Sequence, residues 1–119
     1  MVKVVVCGGR SFTDTEFIYR ELDRLHKELQ ISTLIEGDAA GVDRIAGYWA
    51  RRNKITNKKF FADWHKDGRA AGFIRNLLML AQNPDYVIVF PGGNGTAHTR
   101  KNAIAKGLNV IDIGHEPMV

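Results

Sequence analysis

The sequence predicts a single α/β domain built on a parallel sheet of about five strands, with helices on both faces. Three observations predict it. Strand-like and helix-like segments alternate along the chain, the pattern that yields a parallel sheet with crossover helices. Residues 2–7 form a valine-rich run without polar alternation, as expected of a central strand covered on both sides. Glycine-rich turns follow three of the predicted strands, and 119 residues suit one domain, residues 1–119, with an adequate core.

The elements follow in order. The first strand, residues 2–7, ends at Gly8-Gly9. Ile18, Leu22, Leu25 and Leu29 then recur on one helical face between Asp14 and Gln30, with Thr13 or Asp14 available as the cap. Thr33–Ile35 reads as a short strand running into Glu36-Gly37-Asp38-Ala39-Ala40-Gly41, and Val42, Ile45, Ala46 and Trp49 mark a second helix. The aromatic pair Phe60-Phe61 points to a third strand. A third helix is expected from about Arg69 to Gln82, closed by Pro84, followed by a fourth strand from Tyr86 to Phe90 that Pro91 stops. Residues 96–106 read as the last helix, with Thr96 as a candidate N-cap, and Asn109–Ile113 as the last strand before a short tail. Right-handed crossovers would place these helices on both faces of the sheet. Ligands of such Rossmann-like sheets sit at the carboxyl ends of the strands, where the three glycine loops would converge.

Composition narrows the function classes. Apolar residues at 45% and charged residues at 25% describe a folded globular chain. One cysteine, Cys7, excludes an intrachain disulfide and a cysteine-based zinc site, so a reducing cytoplasm is the expected compartment. No apolar run approaches the length of a membrane span. The net charge of +4 is concentrated in Arg51, Arg52, Lys54, Lys58, Lys59, Lys66 and Arg69, opposed there by Asp63 and Asp67. That stretch is either a solvated face or a surface for anionic partners.

The loop Pro91-Gly92-Gly93-Asn94-Gly95-Thr96 carries the strongest motif. Glycines between a buried strand and a helix let backbone N–H groups approach a ligand, and the helix dipole favours phosphate there. In Gly8-Gly9-Arg10-Ser11 the arginine is the informative residue, since a guanidinium can hold phosphate or carboxylate bidentately. Asp38 could accept hydrogen bonds from ribose hydroxyls, whereas Asp43 could equally cap the second helix. The third helix begins with Gly68-Arg69-Ala70-Ala71-Gly72 and continues through Arg75 and Asn76; glycines are costly at such positions, and a close ligand or a tight packing contact would explain them. Asp63 and Trp64 could add a carboxylate and a stacking surface, although Trp64 reads equally well as core.

Taken together, Gly8-Gly9-Arg10, Gly37-Asp38-Ala39-Ala40-Gly41-Val42-Asp43, Ala62-Asp63-Trp64, the segment from Gly68 to Met79 and Pro91–Thr96 resemble the YspA-related branch of the SLOG superfamily. The resemblance implies a Rossmann-like domain that recognises nucleotides or nucleotide-derived signals, with members in bacteria and phages. It also relates the chain to the Lonely Guy phosphoribohydrolases, whose P-G-G-x-G-T-x-x-E signature carries a catalytic glutamate alongside an arginine. Here the glutamate position is Thr99. A neutral hydroxyl does not stabilise an oxocarbenium-like transition state as a carboxylate does, so the departure favours binding over cleavage. His98, beside it, is expected to face solvent.

Three functions follow from this reading. The first is a sensor or sequestering protein for a nucleotide-derived ligand, held by the glycines of the three loops (Gly8, Gly9, Gly37, Gly41, Gly92, Gly93, Gly95) together with Arg10, Asp38, Asp43, Asp63, Trp64, Arg69, Arg75, Asn76, Pro91, Asn94 and Thr96. The second is a nucleoside-monophosphate N-glycosidase using Arg75 with Asp38 as catalytic residues, or with Asp63 or Glu36. The third is single-stranded nucleic acid binding, through the basic stretch beside Phe60, Phe61 and Trp64, aromatics that are expected to face the core; the DprA relatives bind DNA. A homo-oligomer is expected by analogy with Rossmann-like relatives. The sequence contains no metal-site pattern and leaves open whether a divalent cation assists.

Overall fold

The computed structural model describes residues 1–114; the tail expected after the last strand lies outside them. Five strands form one all-parallel sheet in the order β3-β2-β1-β4-β5: β1 Val2–Cys7, β2 Ile31–Glu36, β3 Thr56–Lys59, β4 Tyr86–Val89 and β5 Val110–Asp112. The helices are α1 Thr15–Leu29, α2 Val42–Arg52, a short α3 Trp64–Asp67 leading through the 3₁₀ turn Gly68–Ala70 into α4 Ala71–Leu80, and α5 Asn94–Ala105.

The valine run of β1 forms the centre of the sheet because it has a use for apolar side chains on both faces. Val4 and Val6 pack with Ile18 and Leu22 of α1 and with Val42 and Trp49 of α2. Val5 and Cys7 point the other way, to Met79 and Leu80 of α4 and Ala103 of α5. The alternation of a strand thus assigns α1 and α2 to one layer and α4 and α5 to the other. Val4, Val5 and Val6 are fully buried, each contributing roughly 1.5–3 kcal/mol of transfer free energy.

Several expectations are corrected. The third strand is the polar segment Thr56–Lys59, which precedes Phe60-Phe61. It lies at the sheet edge, where alternate residues face solvent and an apolar run is not required. The aromatic pair splits: Phe60 packs against the α4/α5 layer while Phe61 is exposed. Trp64 is not core; it opens α3 and is 53% exposed. The third helix is interrupted before Ala71 and ends at Leu80. The last helix begins at Asn94, so Thr96 lies inside its first turn and Gly93 takes the cap position, without any side-chain cap. His98 lies flat on Phe73, with ring centroids 4.2 Å apart, and its Nδ1 is buried without a hydrogen-bond partner. Among the described residues no helix is long and apolar enough to cross a membrane.

Candidate functional site

The carboxyl ends of β1, β2 and β4 open into a cleft of about 670 Å³. Its floor is the end of β1, Cys7 to Gly9, and the start of α2 with Ala39 and Asp43. It is lined further by α4 and the turn before it, presenting Trp64, Arg69, Gly72, Phe73, Arg75, Asn76 and Met79, and by the neighbouring Pro91–Thr96 loop with Thr99. Arg10, Ser11 and Phe12 close the rim.

The loops interlock through their glycines. Gly9 N–H donates to Pro91 O at 2.8 Å, and Gly9 O accepts from the amide of Val42 at 3.3 Å. Gly41 has φ +79°, and a Cβ there would lie 2.3 Å from Gly9 O. A Cβ on Gly92 would meet Thr96 Oγ1 at 2.2 Å and Gly9 N at 2.7 Å. These glycines are required by loop-on-loop packing. Gly93 and Gly95 differ, because a Cβ on either would meet nothing within 4 Å. At this end of α5 the first intrahelical donor is Ala97 N–H, to Gly93 O at 3.0 Å. The amides of the first turn ahead of it have no side-chain cap, so they present unpaired donors and the positive end of the helix dipole.

Arg75 is held half-buried by two hydrogen bonds: Nη1 donates to Gly37 O at 2.5 Å and Nε to Asn76 Oδ1 at 2.9 Å. Gly37 makes room for it, since a Cβ there would lie 2.6 Å from Nη1. Burial lowers the Arg75 pKa from its ordinary value, although a guanidinium remains cationic at any physiological pH. Asn76, itself buried, donates through Nδ2 to Gly95 O at 3.3 Å, tying α4 to the first turn of α5. Gly72 lets Trp64 lie across α4, with the indole 3.4 Å from where a Cβ would be. Three arginines, Arg10, Arg69 and Arg75, line the cleft against one carboxylate, Asp43.

Asp43 is 6% exposed. Its Oδ2 accepts from Ala39 N–H at 3.3 Å. Burial pushes its pKa up to about 6, against the pull of backbone hydrogen bonds and Arg75. Burial also raises the pKa of the Cys7 thiol far above its ordinary range, with the charges of Asp43 and Asp112 adding to the effect, so a reactive thiolate is disfavoured.

Of the residues singled out from sequence, Gly8, Gly9, Arg10, Asp43, Trp64, Arg69, Arg75, Asn76 and the whole Pro91–Thr96 loop line the cleft. Gly37, Asp38, Gly41 and Asp63 do not. Gly37 and Gly41 serve it indirectly, as described above. Asp63 caps α3, accepting from Lys66 N–H at 3.0 Å. Asp38, with φ +55°, turns to Lys59 Nζ at 3.0 Å and Arg44 Nε at 3.6 Å; its pKa is lowered, first by the hydrogen bond from Lys59. Glu36 is fully buried away from the cleft, its Oε2 accepting from Lys59 Nζ at 2.8 Å and Asn57 Nδ2 at 3.1 Å and its Oε1 from Asp38 N–H at 2.5 Å. Asp38 is thus engaged by Lys59 and Arg44 rather than by direct contact with Arg75, and neither Asp63 nor Glu36 lines the cleft. Thr99, in the glutamate position, lines the cleft with its hydroxyl donating to Gly95 O at 3.2 Å. Phe73 and Met79 are cleft residues that sequence reasoning left out of the site; the α4 register was the available signal, since they stand three residues to either side of Asn76. Among the described residues no group of three or more His, Cys, Asp or Glu could hold a metal.

Residues 2–66 match the model of the YspA, cpYpsA-related SLOG family. Over 125 residues the chain is 32% identical to the Gene 61 protein of Mycobacterium phage D29, covering 98% of this chain and 100% of the phage protein. Its fold matches the X-ray structure of DNA processing protein A (DprA) from Streptococcus pneumoniae with a TM-score of 0.76 at 18% identity, over 98% of this chain. That match takes in 51% of the DprA chain, so the protein spans about half the length of that solved structure. By the family match and the full-length likeness to the phage protein, the chain belongs to the YspA, cpYpsA-related SLOG family.

Proposed function

We propose that the cleft binds a nucleotide or nucleotide-derived ligand and that the protein acts as a sensor or sequestering protein for it. Membership of the SLOG family implies ligands of this kind in general. The observation that carries the reading is the uncapped start of α5, where Gly93 and Gly95 leave open space beside arginines on the same cleft. Backbone amides and guanidinium groups together suit a phosphate. The exposed parts of Trp64 and Phe73 on the same cleft offer an apolar surface for a base. Binding is favoured over N-glycosidic cleavage because Thr99 replaces the glutamate and Asp38, Asp63 and Glu36 do not line the cleft.

The same reading includes a homo-oligomer. Phe73, Ile74, Leu77 and Leu78 of α4 and Ile104 of α5 are all exposed, and an apolar surface of this kind supports self-association.

Mass spectrometry of small molecules released when the purified protein is denatured, followed by calorimetric titration of whatever is found, tests the proposal. A co-purifying nucleotide whose binding is lost in Arg75→Ala is the expected result. Protein that carries no nucleotide and binds none overturns it. Salt-sensitive retention of single-stranded oligonucleotide, with no small-molecule binding, would instead favour nucleic acid as the partner.

A further inference from the structure

The acidic residues around the cleft fall into two groups. Glu36 and Asp38 are ion-paired within the protein, through Lys59 and Arg44, with Asn57 and the Asp38 amide completing the set, and Asp63 is an exposed cap of α3. Asp43 is the exception. It is nearly buried, it lines the cleft, and among the described residues no Lys, Arg or His nitrogen lies within 4 Å of its carboxylate. Its carboxylate is held by backbone amides, Ala39 N–H at 3.3 Å and Gly37 beside it, with Arg75 attracting it from beyond contact distance.

A buried carboxylate without a cation is costly to maintain. In a cleft lined by arginines and helix amides it is also opposed to the ligand's phosphate. Such a group favours binding only if the part of the ligand that reaches it donates hydrogen bonds. Sugar hydroxyls and base-edge N–H groups do this, whereas phosphate oxygens and the face of a base do not; of the two donors the sugar is the one bonded next to the phosphate.

We propose that Asp43 selects the sugar: its carboxylate accepts hydrogen bonds from ribose hydroxyls, so the cleft takes ribonucleotides in preference to deoxyribonucleotides. This rests on the nucleotide-binding reading above and adds to it the class of sugar and the residue that recognises it. The position is consistent with the geometry of the rim. Asp43 stands at the start of α2, while the amides that suit phosphate lie at the start of α5, which packs on the other face of the sheet, and both line the cleft. A nucleotide spanning the cleft would place its sugar between the two.

Calorimetric titration of the wild-type protein and Asp43→Asn with the four ribonucleoside 5′-diphosphates and their 2′-deoxy and 3′-deoxy counterparts tests the assignment. Asparagine keeps an oxygen for the Ala39 amide, so the loop tether survives. For the base that binds best, the wild type should prefer the ribonucleotide over at least one deoxy form by about tenfold or more, the range of a hydrogen bond to an ionised group. In Asp43→Asn that preference should fall to about twofold or less, with inorganic pyrophosphate bound no more weakly than by wild type because a negative charge has been removed. Equal wild-type affinity for ribo and deoxy forms, or an undiminished preference in the variant, overturns the assignment while leaving nucleotide binding intact. Failure of every diphosphate to bind removes the nucleotide reading and the assignment together. The wild-type comparison stands even if the variant folds poorly.

Discussion

Two acidic sites, the pair Glu36 and Asp38 and the single residue Asp43, lie within a few residues of each other and behave in opposite ways. At the β2–β3 edge, Glu36 and Asp38 share Lys59, Arg44 adds a second cation at Asp38, and Asn57 completes the set, so the charges are neutralised inside the protein. At the cleft floor Asp43 has the same chemistry but no paired cation. The comparison teaches that position in a glycine-rich motif does not decide whether a carboxylate is structural or available. What decides it is whether another element brings a cation, and here β3 brings Lys59 to one site and not to the other.

The largest effect is expected from breaking the closed cluster. Glu36→Ala leaves Lys59 Nζ, Asn57 Nδ2 and the Asp38 amide without their shared acceptor and should destabilise the fold by about 3 kcal/mol, the scale for removing one partner of a buried pair. Urea unfolding measures it. The open site should respond with the opposite sign. The folded-state pKa of Asp43 is raised from 3.8 to about 6, so the folded state holds the proton more tightly than the unfolded chain, and wild-type stability falls as pH rises through that interval. Asp43→Asn should therefore be more stable than wild type by about 2 kcal/mol at pH 8, an advantage that shrinks below pH 6 and vanishes near pH 4. Unfolding curves across pH would show it, and a pH-independent difference would contradict the assigned burial penalty.

Smaller effects separate packing glycines from ligand-facing ones. Gly92→Ala forces a Cβ against Thr96 and the Gly9 backbone and should cost about 1–2 kcal/mol by overpacking. Gly95→Ala meets open space and should stabilise α5 by about 0.5 kcal/mol, yet weaken nucleotide binding in titrations by obstructing the approach to the helix start. Asp38→Asn should be the smallest change, within about 0.5 kcal/mol by denaturant unfolding, since its partners are partly exposed and asparagine tolerates a positive φ. Nucleotide affinity should not move.

Much of this architecture was legible in the sequence because its strongest signals are local. The valine run of β1, the apolar stripe of α1 and the Pro91 stop each follow from a few neighbouring residues, and all appear in the structure. β3 was misplaced because an edge strand of sequence Thr-Asn-Lys-Lys carries no apolar signature, while the adjacent phenylalanines did. α3 was missed because four residues are too few for a helical period to emerge. The glycine loops were legible for the same local reason. The roles of Asp38 and Asp43 were not, because they depend on Lys59, 21 residues beyond Asp38 and brought alongside by strand pairing.

The central place of β1 also governs when the cleft can come into being during synthesis. Its two flanks are supplied at very different times: β2 follows soon after, whereas β4 pairs from the far side, as in the bond between Lys3 and Asp85 across 82 residues. A nascent chain that has emerged only through residue 66 carries Arg10 and Asp43 but neither Arg75 nor the α5 amides, and one face of β1 waits uncovered. Recognition of the proposed ligand would therefore be a late event on the ribosome, since the cleft is complete only when both flanks of β1 are in place.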